Sequence, residues 1–297
     1  MIPFRHQPQL PQACKSLWSL TWSSLVIFAV SGLAGLPTYS AAQAAEDKAA
    51  STPSQGEQDS DPDHNWLTFY YQNPEPEKVV EQLKKWSDAK VLSDERARPA
   101  LVGFLSQVFR QNRDKIKQWY LDISDLPPED LQTIRLALIF SRTSEGDEII
   151  REEEGDEYVD RRPPKVLEMP MTQLPTFDML WGYFFATGSE EVIRRMVFLF
   201  RYEEMDVGED VDIPEDYAPL YEQLPDAAGW ALASNAEQHP LVLEVLERYY
   251  QTAGALEPIE RKGVRKVLSE LLPKKYPPAA EDKEATDEDE EEPAAVQ

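Results

Sequence analysis

An all-α chain is the fold class this sequence predicts, and three observations carry the prediction. Apolar residues recur at helical spacing in five separate stretches. No convincing run of alternating β-branched residues calls for a strand. Short turns built around Asn, Gly, Gln or Pro fall between the apolar stretches. The expected architecture is an irregular stack of helical hairpins, either α-solenoid-like or a helical bundle.

The first 44 residues read as a secretory signal peptide. Arg5 and Lys15 form a basic leader with no acid before Glu46. An apolar run from Leu25 to Leu36 ends at Pro37, and Ala42-Gln43-Ala44 offers an Ala-x-Ala cleavage pattern. The expected location is therefore periplasmic or secreted. The competing reading is an uncleaved inner-membrane anchor at 17–36. That stretch is interrupted by Ser19, Thr21, Ser23, Ser24 and Ser31, whereas a spanning helix requires about twenty predominantly apolar residues. Cys14, the only cysteine, precedes the apolar run, so cleavage leaves a chain without disulfide or thiolate chemistry.

Residues 45–63 are rich in Ala, Ser, Gln, Asp and Pro and lack aromatic residues, the composition of a disordered linker. A helical domain is expected from 64 to 278. Leu101, Phe104, Leu105, Val108 and Phe109 form its first stripe. Phe177, Leu180, Trp181, Phe184 and Phe185 form the second, and Ile193, Met196, Val197 and Phe200 the third. Val242, Val245, Leu246 and Tyr249 follow, then Val264, Val267, Leu268 and Leu271. Each set lies on one face of an α-helix and predicts burial of that face.

The turns share one chemistry. Tyr71-Gln72-Asn73-Pro74, Arg110-Gln111-Asn112-Arg113, Ala186-Thr187-Gly188-Ser189 and Glu237-Gln238-His239-Pro240 each close one helix and open the next, with Arg142-Thr143-Ser144-Glu145 a degraded copy. Asn or Gly suits a left-handed helix end, and Pro or an acid suits a helix start. His239 is expected to serve as a cap before Pro240. This layout resembles the HEAT-like and TPR-like α-solenoids from His64 to Pro273, without the Trp/Gly/Tyr/Ala/Phe/Pro pattern of a true TPR. The resemblance implies stacked helical pairs with a concave surface for protein partners. The Leu180–Gly188 stretch is also similar to segments of uncharacterised bacterial exported proteins, a likeness that implies no activity.

The formal charge of −25 is unevenly placed. Two acidic insertion loops are expected, at 145–176 and 203–216. Glu145 to Asp160 carries nine acids and one Arg, and Glu203 to Asp216 carries eight acids and no base. The tail at 279–297 carries nine acids and one Lys and is expected to be disordered. The framework between these segments is nearly neutral. Such a chain has no electrostatic footprint for nucleic acid. It also has none for anionic lipid, so a membrane enters only if the signal segment stays uncleaved. A protein partner is expected, and a cationic one fits the acidic loops.

Catalytic options are few. Cleavage leaves His64 and His239, and no Gly-x-Ser-x-Gly, His-Glu-x-x-His, Cys-x-x-Cys or phosphate-binding glycine loop occurs. No cofactor or metal is expected. Asp206, Glu209, Asp210 and Asp212 crowd one loop without the alternation of a calcium-binding loop. The expected function is a non-catalytic, protein-binding scaffold or adaptor in the cell envelope. The candidate contacts are Glu152, Glu153, Glu154, Arg161, Arg162, Tyr183, Asp210 and Asp212. The alternative is a carboxylate-based enzyme acting on cell-wall polysaccharide, with Glu190 or Glu191 as candidate acids.

Overall fold

The computed structural model describes residues 66–171, 173–204 and 218–278. The expected signal peptide and anchor stretch, the linker at 45–63 and the tail at 279–297 lie outside the described residues. So do residues 205–217, which hold Asp210 and Asp212. No described helix is long and apolar enough to cross a membrane.

Every regular element among the described residues is helical, as the sequence predicts. The α-helices run in order α1 (Val79–Asp88), α2 (Arg98–Gln111), α3 (Ile116–Asp122), α4 (Pro128–Ser141), α5 (Ser144–Glu153) and α6 (Asp156–Asp160). They continue with α7 (Leu174–Thr187), α8 (Glu190–Phe198), α9 (Ala218–Gln238), α10 (Pro240–Gln251) and α11 (Pro258–Leu271). Short 3-10 turns occupy Pro76–Lys78, Arg113–Lys115, Val166–Glu168 and Leu199–Glu204. The predicted stripes are buried, with only Phe185, Tyr249 and Leu271 left half-buried at their edges.

Local chemistry explains where the helices start and stop. Pro99, Pro128, Pro175, Pro240 and Pro258 sit in first turns, where a missing N–H removes no helical bond. Gly188 ends α7 at φ 63°, and its N–H reaches the Phe184 carbonyl. Only glycine fits there, because an added Cβ would lie 2.6 Å from the Tyr71 ring. Arg142 ends α4 in the same left-handed region, at φ 53°. Thr143 then caps α5, its Oγ1 accepting from the Gly146 N–H at 3.1 Å.

The segment at 145–176 differs from the insertion loop that the sequence suggests. It folds as α5, α6 and the turn at Val166–Glu168. Its acid density conceals a small set of apolar anchors, Ile149, Ile150, Val159, Val166 and Met171, all of them buried. Glu145 and Asp147 also fall in the first turn of α5, where they complement the helix dipole. The described start of the second acidic loop, Glu203 and Glu204, likewise belongs to a 3-10 turn.

Two apolar clusters make up the core. Tyr70, Val79, Leu83, Leu105, Ile134 and Ile150 represent the first, and Leu180, Phe184, Met196, Leu232, Val242 and Leu268 the second. α2 and α7 join them: Val102 of α2 belongs to the second cluster, and Ala186 of α7 to the first. The two backbones meet at glycines. A methyl group on Gly103 would overlap the Met179 carbonyl, and one on Gly182 would overlap that of Ala100. Main chain occupies both positions, so no side-chain rotation can make room.

Gly182→Ala is expected to destabilise the fold by about 3 kcal/mol, despite the roughly 1 kcal/mol by which Ala favours a helix over Gly. Gly229 lies within α9, where an added Cβ meets only ordinary contacts, 3.6 Å from Phe200 at the closest. Gly229→Ala should therefore be neutral or mildly stabilising. Urea unfolding of the two variants checks the contrast, and equal effects would contradict the close crossing.

Candidate functional site

The stripe Ile193, Met196, Val197 and Phe200 turns one face of α8 and the following turn into the core. Arg194, Arg195, Phe198 and Arg201 are thereby left on the other side. The two guanidinium groups of Arg194 and Arg201 are held by Glu260 in the first turn of α11, which is 0% exposed. Its Oε1 accepts from Arg201 Nε at 2.8 Å and lies 3.1 Å from Arg194 Nη1. The Arg194 pair is a close ion pair without hydrogen-bond alignment. Glu260 Oε2 accepts from the Glu257 N–H at 3.0 Å, closing the start of α11. Burial pushes the Glu260 carboxyl up, but the hydrogen bonds from Arg201 and the Glu257 amide, with Arg194, hold it below the ordinary glutamate value. Alongside, the Phe200 ring covers Gly263, where any side chain would collide with it.

This clamp orders the surface above it. The Arg201 guanidinium lies 4.8 Å from the centroid of the Phe198 ring. Phe198 is 43% exposed, although large apolar side chains here are mostly buried. Beside it opens a recess of about 300 Å³, lined by Met171, Glu191, Arg194, Arg195, Phe198 and Tyr202. Arg195 fixes the opposite wall by donating to the carbonyls of Val166 at 3.3 Å and Met169 at 2.6 Å. Burial pulls the Arg195 pKa down from its usual value. Arg, Met and aromatic side chains around a small hollow make a composition enriched at protein interfaces. Such a hollow can seat an apolar side chain against Phe198, Met171 and Tyr202, with guanidinium groups at its edge.

Of the candidate acids Glu191 lines the recess, whereas the described candidate contacts lie elsewhere. Glu153 and Glu154 both pair with Arg135, at 3.3 and 2.7 Å, and Arg135 also donates to Tyr120 Oη. Arg162 is half-buried and donates to Asp147 Oδ2 at 2.9 Å and to the Val159 carbonyl. These contacts fasten α5 and α6 to the framework. Glu152 and Arg161 are exposed on the same segment. Tyr183 packs, half-buried, against the second cluster, and burial pushes its hydroxyl up. None of them lines the recess. The signal for the recess was present in the third stripe: Phe198 is the one aromatic residue on α8 that falls off it.

Two further titratable groups are conspicuous. Asp178 on α7 is half-buried, and burial raises its carboxyl to about 7. His239 occupies the cap position before α10, yet its side chain makes no cap hydrogen bond, which corrects the capping role expected of it. Its ring packs into an aromatic box instead. Among the described residues, no group of three or more His, Cys, Asp or Glu side chains could hold a metal ion.

Glu260→Gln is expected to lower the unfolding free energy at pH 7 by about 3 kcal/mol, because it leaves the two guanidinium groups facing a neutral amide. The folded-state pKa of Glu260 is depressed, so its contribution is present above the ordinary glutamate value and lost as pH falls through the folded value. The difference between native protein and variant in urea unfolding should therefore shrink on acidification below about pH 4.5. A constant difference would contradict the charged state of the clamp.

Comparison with protein-family models, curated proteins and solved structures finds no match to this chain.

Proposed function

We propose that this chain is a non-catalytic, protein-binding scaffold or adaptor of the cell envelope, exported by its N-terminal segment and built as a stack of helical hairpins in the manner of α-solenoids. One observation carries the reading: an exposed Phe198, held under Arg201, borders a recess walled by Met171, Tyr202 and two further arginines. Exposed aromatic and Arg side chains at a concave site are the usual anchors of protein interfaces. The acids at 152–154 add long-range attraction for a cationic region of the same partner, outside the recess.

A carboxylate-based enzyme acting on cell-wall polysaccharide is the second reading, and Asp178 favours it. Glycoside cleavage requires one carboxyl group that stays protonated near neutral pH. Burial places Asp178 in that range. Among the described residues Glu191 is the one carboxylate lining the recess, and Asp178 does not line it.

A photo-crosslinking residue at Glu191, in the full chain expressed in intact cells, separates the two. The binding reading predicts one reproducible protein adduct, reduced at least tenfold by Phe198→Ala. Absence of any adduct, with turnover of labelled peptidoglycan that disappears in Asp178→Asn or Glu191→Gln, would replace binding by catalysis.

A further inference from the structure

His239, the only histidine among the described residues, is 0% exposed and sits at a junction of four segments. Phe69 and Tyr71 reach it from the segment preceding α1, with ring centroids 5.0 and 5.8 Å away. Phe184 and Phe185 reach it from α7 at 5.3 and 5.4 Å, Phe185 nearly parallel to the imidazole. The His239 N–H is bonded to the Asn235 carbonyl of α9 at 2.8 Å, and its own carbonyl accepts from Val242 in α10. Tyr71 Oη lies 3.4 Å from Nδ1, while Nε2 is buried without a hydrogen-bond partner.

This surrounding suits only a neutral ring. Protonation makes both ring nitrogens donors, so Nδ1 has only Tyr71 Oη beside it and Nε2 holds a proton with no acceptor. The position lies at the start of α10, where the helix dipole is positive and opposes a second positive charge. Among the described residues, Tyr71 is the one titratable group facing the ring from the N-terminal segment. From α7 only the two phenyl rings face it. Glu237 at the end of α9 and Glu244 in α10 are its nearest acids in sequence, and both are solvent-exposed. Burial alone lowers the His239 pKa, to about 4. The aromatic faces offer a cation on the order of 1–2 kcal/mol, too little to replace lost water.

We propose that His239 is an acid-sensitive latch, whose protonation unseats Phe69 and Tyr71 from the junction of α7 and α10. The N-terminal segment is the part that can yield. Its inner side chains Trp66 and Tyr70 are held in the first cluster, by edge contacts to each other and to Phe104. Its outer side chains Phe69 and Tyr71 face the second half of the molecule, where the main-chain bond from Tyr71 N–H to the Phe185 carbonyl (2.9 Å) is the tie beside the imidazole. Opening that tie hydrates the imidazole and exposes an aromatic face at acid pH, while the first cluster stays intact.

The sign follows from linkage. An open imidazole takes up its proton near pH 6.5 and a closed one near 4, so opening is favoured as pH falls below 6.5. These two values give a rise of roughly twentyfold in the opening constant between pH 7 and pH 5. The test is carried out on the full native chain. NMR titration of the imidazole C–H signals locates the His239 transition, and hydrogen exchange at the Tyr71 amide, corrected for intrinsic rate, follows opening. The expected result is a late-titrating His239 with exchange rising about twentyfold by pH 5, and no such rise in His239→Phe. Titration near 6.5 without change in exchange would overturn the proposal, as would the same rise in the variant. If His239→Phe fails to fold, the native protein still decides: exchange must increase with acid as linkage to His239 requires, and a flat profile refutes the latch.

Discussion

The close crossing of α2 and α7 is the constraint on which the rest of the molecule depends. Gly103 and Gly182 let two helix backbones touch, so side chains that would otherwise fill the crossing are directed to either side of it. That is how one pair of helices contributes to both apolar clusters, with Val102 and Ala186 each placed in the half opposite its own neighbours. Phe185 packs against both clusters and also forms one wall of the box around His239. The crossing therefore fixes the separation of the halves, and with it the junction where the N-terminal segment meets α10.

Charge plays a different part in each half. Around α5 the acids are spread over the surface and answered by Arg113, Lys117 and Arg135. Solvent screens the pairs of Arg113 and Lys117; with Arg135 they orient a short helix that Ile149 and Ile150 already anchor. Around Glu260 the charge is buried, and removing one partner leaves others without compensation. The same clamp brings Arg201 over Phe198, so a structural necessity in the core shapes the edge of the recess.

The helical class and the five apolar stripes are legible because a period of 3.6 residues survives in single sequence, and the stripe residues are buried except for Phe185, Tyr249 and Leu271 at the edges. Gly188 and Arg142 also end their helices where the turn chemistry places an end. In the 145–176 segment the acids outweigh two isoleucines in composition and suggest a loop, although burial of a few apolar side chains decides whether a short helix docks. The recess was less legible still. Its lining comes from the turn before α7, from α8 and from the turn after it, and nothing in local sequence announces that Met171 faces Phe198. Only the departure of Phe198 from its stripe marked it. His239 was read from its neighbour Pro240 as a cap, whereas its environment is made by Phe69, Tyr71, Phe184 and Phe185, residues brought from remote parts of the chain.

If one helix crossing binds both clusters, the described helices should unfold as a single cooperative unit. Hydrogen exchange in increasing urea, followed separately for amides of α4 in the first half and α11 in the second, tests this most directly. The account predicts that the most protected amides of both helices converge on one unfolding free energy with one urea dependence. Two distinct free energies that persist at all urea concentrations would show that the halves unfold independently, and would contradict the role given to Gly103 and Gly182.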